Sequence, residues 1–365
     1  MAGTTIARFP LGSVVLMALA LALAQGGEAA AAQSRSEIAM MAGPDRQAKL
    51  EQGAKAEGEV FLYTTLIIDQ AVIPIKTAWE KKYPAVKFNF VRLSSAPLVQ
   101  RMLAETRAGK PSADVVIGSV SSSLATAKLL EPFASPELAA FPKDYMGSGN
   151  LWMTYRLSYY GFGYSTKLVS EAEAPKSWED LLNPKWKGKM IWATSRDTGG
   201  PFTIHHLRQS WGEKKSNEYF DQLAKQNVLK SDASVRTLLD LVIAGEHTIS
   251  LSTALNHVMI SKHEGAPVWF TSPDPVASRP DSIMVPNNGP HPHAGMLFVD
   301  YLLSKEGADV LIQAGYQPAR LDVEPDPAMR PIIPHLNGKT ARVYPAEDMA
   351  TGQDDLVDIF NKVSP

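Results

Sequence analysis

The chain has 365 residues, 45% of them hydrophobic and 20% charged, with a formal net charge of -2. That balance fits a globular protein of about two domains, and it lacks the clustered basic run that binding to nucleic acid requires. The absence of cysteine excludes a disulfide framework, a thiolate metal site and a lipid-attachment cysteine.

Arg8 precedes residues 11–24 (LGSVVLMALALALA), an apolar stretch too short to span a bilayer comfortably. Small residues follow over 26–32, and Ala30, Ala31 and Ala32 offer a cleavage site. Residues 1–32 therefore read as a secretory signal peptide, which places the mature protein in the periplasm. Residues 33–57 predict a helical lead-in, with a short helix over 44–55 ended by Gly58.

Three repeats of one local plan come next. Residues 60–63 (VFLY), 86–90 (VKFNF) and 113–117 (ADVVI) read as strands, each followed by a helical pattern, over 74–82, around Leu98 to Leu103, and over 124–130. This alternation predicts βαβ units on a parallel sheet. Hydroxyl groups follow each strand: Thr64 and Thr65, then Ser94 and Ser95, then Ser119, Ser121, Ser122 and Ser123. In open α/β sheets ligands bind beyond the carboxyl ends of the strands, where helix N-termini present free N–H groups. Taken singly, each hydroxyl also reads as an N-cap. Three such loops on one edge favour a polar pocket that also uses the caps.

Residues 155–164 (YRLSYYGFGY) form a long aromatic strand able to carry the chain into a second α/β unit. There a helix is expected over 178–182, a strand over 189–192, a loop over 194–200, a helix near Phe202, a helix over 235–244 and a strand over 248–251. The helical stretch around Met296 to Leu303 returns to the first unit. Lobe 1 is thus expected over 58–155 and 283–322, and lobe 2 over 156–282 and 323–365.

Several stretches in order resemble the bacterial extracellular solute-binding proteins of the iron(III)-binding-protein type. They are residues 56–60 leading to Tyr63, Thr64 and Thr65; residues 113–115; residues 129–133 (LLEPF); residues 175–190 (PKSWEDLLNPKWKGKM); and Gly245 with Glu246. The resemblance implies a type II periplasmic-binding fold, α/β, with two lobes, a hinge and an interlobe ligand cleft. It also implies delivery of a small-molecule ligand to an ABC transporter permease, and the mature protein is expected to be a monomer. The iron-binding members use two consecutive tyrosines after the strand that follows the Gly-Glu pair. Here residues 249–257 read ISLSTALNH, without tyrosine, and Gly118-Ser119-Val120 stands where an acidic ligand is expected. The preferred ligand is accordingly an organic anion bearing a carboxylate, phosphate or phosphonate, with a metal ion or chelate as the alternative.

Besides the hydroxyl loops, the candidate site includes Thr194, Ser195 and Arg196, where relatives bind an anion, and Asn256 after the last strand. A guanidinium matches a carboxylate or phosphate with paired donors, although Arg196 equally suits a surface ion pair with Asp197. Arg156 sits at the expected lobe crossing. Tyr159 and Tyr160 alternate on a strand, so only one faces the cleft; Tyr159 is taken as the candidate. His291 and His293 supply only two donors, too few for a stable metal site, so no metal or cofactor is expected. No G-x-S-x-G elbow, H-E-x-x-H helix or P-loop occurs, which argues against an exported hydrolase.

Overall fold

The computed structural model describes residues 35–196, 198–344 and 354–364. The expected signal peptide lies outside them, as does Asp197. Among the described residues no helix is long and apolar enough to cross a membrane.

The three predicted strands form as β1 (Glu59–Thr64), β2 (Lys87–Arg92) and β3 (Val115–Gly118), with β1 parallel to both neighbours. All four residues of β3 are buried, as expected of a parallel strand covered on both faces. Alternation sends Leu62 and Ile117 into one core with Trp79 and Phe298, and Tyr63 and Val116 into another with Leu98 and Met284. The helix α1 (Arg46–Glu57) is more than a lead-in. Its Leu50 and Ala54 join the first core, and Arg46 pairs with the buried Asp300 at 2.7 Å.

Two long strands carry the chain between lobes. The first is β5 (Trp152–Ser165), which the aromatic run predicted. The second, β10 (Val276–Pro286), went unread because Pro280, Arg279 and Asp281 interrupt its apolar pattern. They pair antiparallel from Ala277 opposite Tyr160 to Met284 opposite Trp152, with a bulge between Asp281 and Ser282. The sheet runs β2-β1-β3-β10-β5-β8-β6-β7, where β6 is Met190–Ala193, β7 Leu229–Ser231 and β8 Ile249–Ala254, while β4 (Leu130–Glu131) pairs with β10 and β9 (Val268–Thr271) with β5.

Lobe 2 gathers Phe162, Trp192, Leu207 and Phe220 in its core, together with Phe360 from the C-terminal helix. The family block contributes Trp178 and Trp186 to the same core, and its expected helix is the 3-10 turn Glu179–Leu182. Met329 and Ile333 pack with Leu157 and Tyr159, and Ala341–Val343 pairs with the start of β10. The return helix Pro292–Leu303 belongs to the first core.

Candidate functional site

A cleft of about 570 Å³ lies where β5 and β10 cross. Both lobes line it. Thr65, Ser95, Ser119 and Ser123 come from the loops and helix starts after β1, β2 and β3, while Thr198, Val235, Asn256 and His257 come from lobe 2. The crossing strands supply Arg156, Ser158, Tyr160, Arg279 and Asp281 between them.

Four helices begin at these walls. They are Ser95–Arg107, Gly200–Trp211, Val235–Ala244 and Leu255–His263, reached at Ser95, Thr198, Val235 and Asn256. A helix start carries unpaired N–H groups and the positive end of the peptide dipoles, so each wall favours negative charge.

Arg156 is held from every side. Its Nε donates to the Tyr155 hydroxyl at 3.1 Å, its Nη1 to Ser158 Oγ at 2.8 Å, and its Nη2 to Asp281. Tyr155 in turn donates to Asp281 at 3.2 Å, and the guanidinium sits 4.5 Å from the Tyr316 ring centroid. Burial opposes the charge on Arg156, but Asp281 and the two tyrosines outweigh it and hold its pKa above the ordinary value. Arg279, also buried, lies over the Phe202 ring at 5.8 Å. Burial, reinforced by Arg236 and Arg156, pushes His257 down to about 4, so at neutral pH it is uncharged. Its Nδ1 is buried without a hydrogen-bond partner among the described residues.

Of the residues expected from sequence, the cleft brings together Thr65, Ser95, Ser119, Arg156 and Asn256. The others lie elsewhere, for identifiable reasons. Thr64 is fully buried and its hydroxyl accepts from the Leu66 N–H at 3.0 Å, bracing the turn. Ser94 occupies the N-cap position of the helix that Ser95 begins. Ser121 lines a neighbouring cavity. Tyr159 packs in the core with Leu157 and Val258, and by strand alternation Tyr160 takes the cleft side.

The loop before Gly200–Trp211 turns too tightly for Thr194, Ser195 and Arg196 to reach the cleft. Thr194 donates its N–H to Ser231 at 2.9 Å, and the Ser195 and Thr198 hydroxyls bond at 2.9 Å. A Cβ on Gly199 would meet the Ala193 carbonyl oxygen at 2.3 Å, so only glycine fits this turn. Arg196 points outward, 56% exposed, and pairs with Asp354 at 3.1 Å. Arg279 and Asp281 were missed with β10 itself, where the one available signal was charge flanking Pro280; Ser158 lies on the strand that was read, β5, but a lone serine there carries no signal.

The sequence profile described as "Bacterial extracellular solute-binding protein" matches residues 64–309. The chain belongs to this family. This solute-binding protein is 27% identical over 277 residues to an uncharacterised Haemophilus influenzae protein, covering 72% of this chain and 78% of that one. It is 25% identical over 285 residues to a putative 2-aminoethylphosphonate-binding periplasmic protein of Salmonella typhi, covering 75% and 80% of the two chains. Among solved structures, iron-bound HitA from Pseudomonas aeruginosa superposes with a TM-score of 0.65 at 21% identity, over 84% of this chain and 99% of that one. AfuA from Actinobacillus pleuropneumoniae, with fructose-6-phosphate bound, superposes with a TM-score of 0.63 at 23% identity, over 84% and 97%. At these identities the structures establish the shared type II periplasmic-binding fold. Family membership makes this chain a periplasmic solute-binding component of an ABC transporter.

Proposed function

We propose that this protein is exported through a cleavable signal peptide and captures a small organic anion, a phosphate, phosphonate or carboxylate, which it delivers as a monomer to an ABC importer permease without chemical change. The observation that carries this reading is the meeting of Arg156 and Arg279 with four helix starts around one cleft. Guanidinium forks and backbone N–H groups aimed at one space recognise an oxyanion by charge-assisted hydrogen bonds. Asp281 lies against Arg156 and holds its guanidinium at the cleft wall, where Arg279 adds a second. The lobes close about the crossing strands, burying the anion between the two sets of loops.

The metal alternative finds weaker support in the donor set. Tyr160 is the tyrosine on the cleft wall, and among the described residues no three His, Asp or Glu side chains are grouped to hold an ion. Fe(III) favours several anionic oxygens, and the carboxylate on this wall, Asp281, is already paired with Arg156.

Mass spectrometry of the molecule that co-purifies from the native host, followed by titration calorimetry, tests the reading. An organic anion that binds with micromolar or tighter affinity is expected. A coloured preparation that binds Fe(III) and no anion would overturn it.

A further inference from the structure

The backbone of β8 leaves the extended region at Ser252. Its φ is +57°, in the left-handed region that residues other than glycine rarely enter. It sits in a bulge: β5 pairs Gly161 with Thr253 and Gly163 with Ser250, so Leu251 and Ser252 stand opposite the single Phe162. A serine keeps such a conformation only where its surroundings over-determine it, and Ser252 is buried.

Its hydroxyl is fully used. A hydroxyl has one hydrogen and two lone pairs. The Trp192 indole N–H can only donate, and does so to Ser252 Oγ at 2.8 Å. The Gly199 carbonyl oxygen can only accept, and takes the Ser252 hydrogen at 3.2 Å. The Thr203 hydroxyl, also bonded to Ser252, therefore donates into the remaining lone pair. One side chain thus ties β6 and the first turn of the helix Gly200–Trp211 to the end of β8.

What the bond fixes is one peptide plane. The Gly199 carbonyl oxygen also accepts from the Thr203 N–H at 3.2 Å, as the first helical bond. In a planar trans peptide the Gly200 N–H points opposite to the Gly199 carbonyl, so a carbonyl held onto Thr203 and Ser252 directs that N–H off the helix start. Phe360 packs so closely on Gly200 that a Cβ there would come within 2.0 Å of the ring. Thr198, in the same turn, lines the cleft, whereas Ser252 lines no part of it.

We propose that Ser252 is a positioning residue for solute capture: bound to the Gly199 carbonyl, it aims the Gly200 N–H at the oxyanion in the cleft. The proposal rests on the anion reading above and adds to it a residue that never touches the solute.

Titration calorimetry and amide spectra of the exported protein, with glycine-selective nitrogen-15 labelling, test it. The probes are inorganic phosphate, methylphosphonate, 2-aminoethylphosphonate, succinate and any anion that co-purifies. In the parent protein the tightest binder should move the Gly200 amide proton downfield, as a charge-assisted hydrogen bond does. Ser252→Ala and Ser252→Gly should each bind that anion about tenfold more weakly, the worth of one such bond, and lose most of the shift. Glycine accepts the left-handed φ without strain, so the two variants should differ in thermal midpoint but not in affinity. Ser252→Gly also keeps the test valid if Ser252→Ala fails to fold. Unchanged affinity in the variants, or a Gly200 signal that the anion does not move in the parent or still moves in the variants, would overturn the role of Ser252 and leave the anion reading standing. A parent protein indifferent to every probe would overturn both.

Discussion

Arg156 and Asp281 are register partners on the two crossing strands and also an ion pair, so the hinge ladder and the floor of the cleft share one contact. Both side chains are buried, at 10% and 5% exposure, and removing one partner leaves the other charged and unpaired. Breaking a buried pair in this way costs about 3–5 kcal/mol. Asp281→Asn keeps the shape and some of the hydrogen bonding, so a loss near the lower end is expected in urea unfolding. The same change removes a negative charge from the cleft, and the affinity for an organic anion should rise. A fall in affinity would mean that Asp281 itself contacts the solute.

Arg279→Ala should weaken anion binding by about 2–5 kcal/mol, roughly 30-fold to several-thousand-fold, because it deletes a charged donor from a closed cleft. Arg196→Ala is the matched control. Its exposed pair with Asp354 is worth under about 1 kcal/mol, and it lines no part of the cleft. Calorimetry with the co-purified solute separates the two: comparable losses in both variants would return the loop over 194–200 to the binding site.

Acid should loosen lobe 2 through His206. Its Nε2 faces the Pro275 carbonyl oxygen at 2.9 Å and therefore donates, which leaves Nδ1 to accept from the Tyr344 hydroxyl at 2.9 Å. Burial, only partly offset by that Pro275 bond, pushes the pKa down to about 4 from the ordinary 6.5. The neutral ring is the stable form, so the contribution is fully present above pH 6.5 and is lost as pH falls toward 4. His257 acts in the same sense. Urea midpoints at pH 7.5 and 5 should differ less in His206→Gln than in the parent protein. An equal difference in both would assign the acid sensitivity to other groups.

Gly199→Ala should strain the loop that starts Gly200–Trp211. The added methyl would press on backbone oxygens of Ala193 and Ser195, at 2.3 and 2.6 Å, and neither can swing away as a side-chain tip can. Overpacking of this kind costs about 1–3 kcal/mol. A lower thermal midpoint is expected, together with weaker solute binding, since Thr198 shares the turn and lines the cleft. An unchanged midpoint would show that the loop relaxes freely.

The elements that were legible in the sequence are those where one physical signal dominates. The run 113–117 is apolar throughout and forms β3; residues 235–244, with Ser234 capping Thr237 and Gly245 following, form the helix Val235–Ala244. β10 was illegible because a crossing strand serves two masters: Val276, Ile283 and Met284 pack in cores while Arg279 and Asp281 face the cleft, so its pattern follows neither period. The hydroxyl loops lie at the carboxyl edge of the sheet, beside the cleft, yet chain order could not say which hydroxyl of each pair faces inward. Ser95 does and Ser94 does not, a matter of one helical position. Arg196 misled for the opposite reason, since its loop lies at a helix start beside the cleft but Gly199 folds it back on itself.

β5 contributes Met153 and Tyr155 to the core of one lobe and Phe162 and Tyr164 to that of the other, with its ladder to β10 spanning the distance between them. Neither lobe therefore owns a complete sheet. Excising either would bare a raw strand edge and take from the other the ladder that anchors its end of β5, so the lobes should melt together and not as beads on a string. The strands about which the proposed closure turns are also those whose amides should exchange most slowly with solvent, because β5 and β10 are paired to each other along their length and anchored in a core at each end.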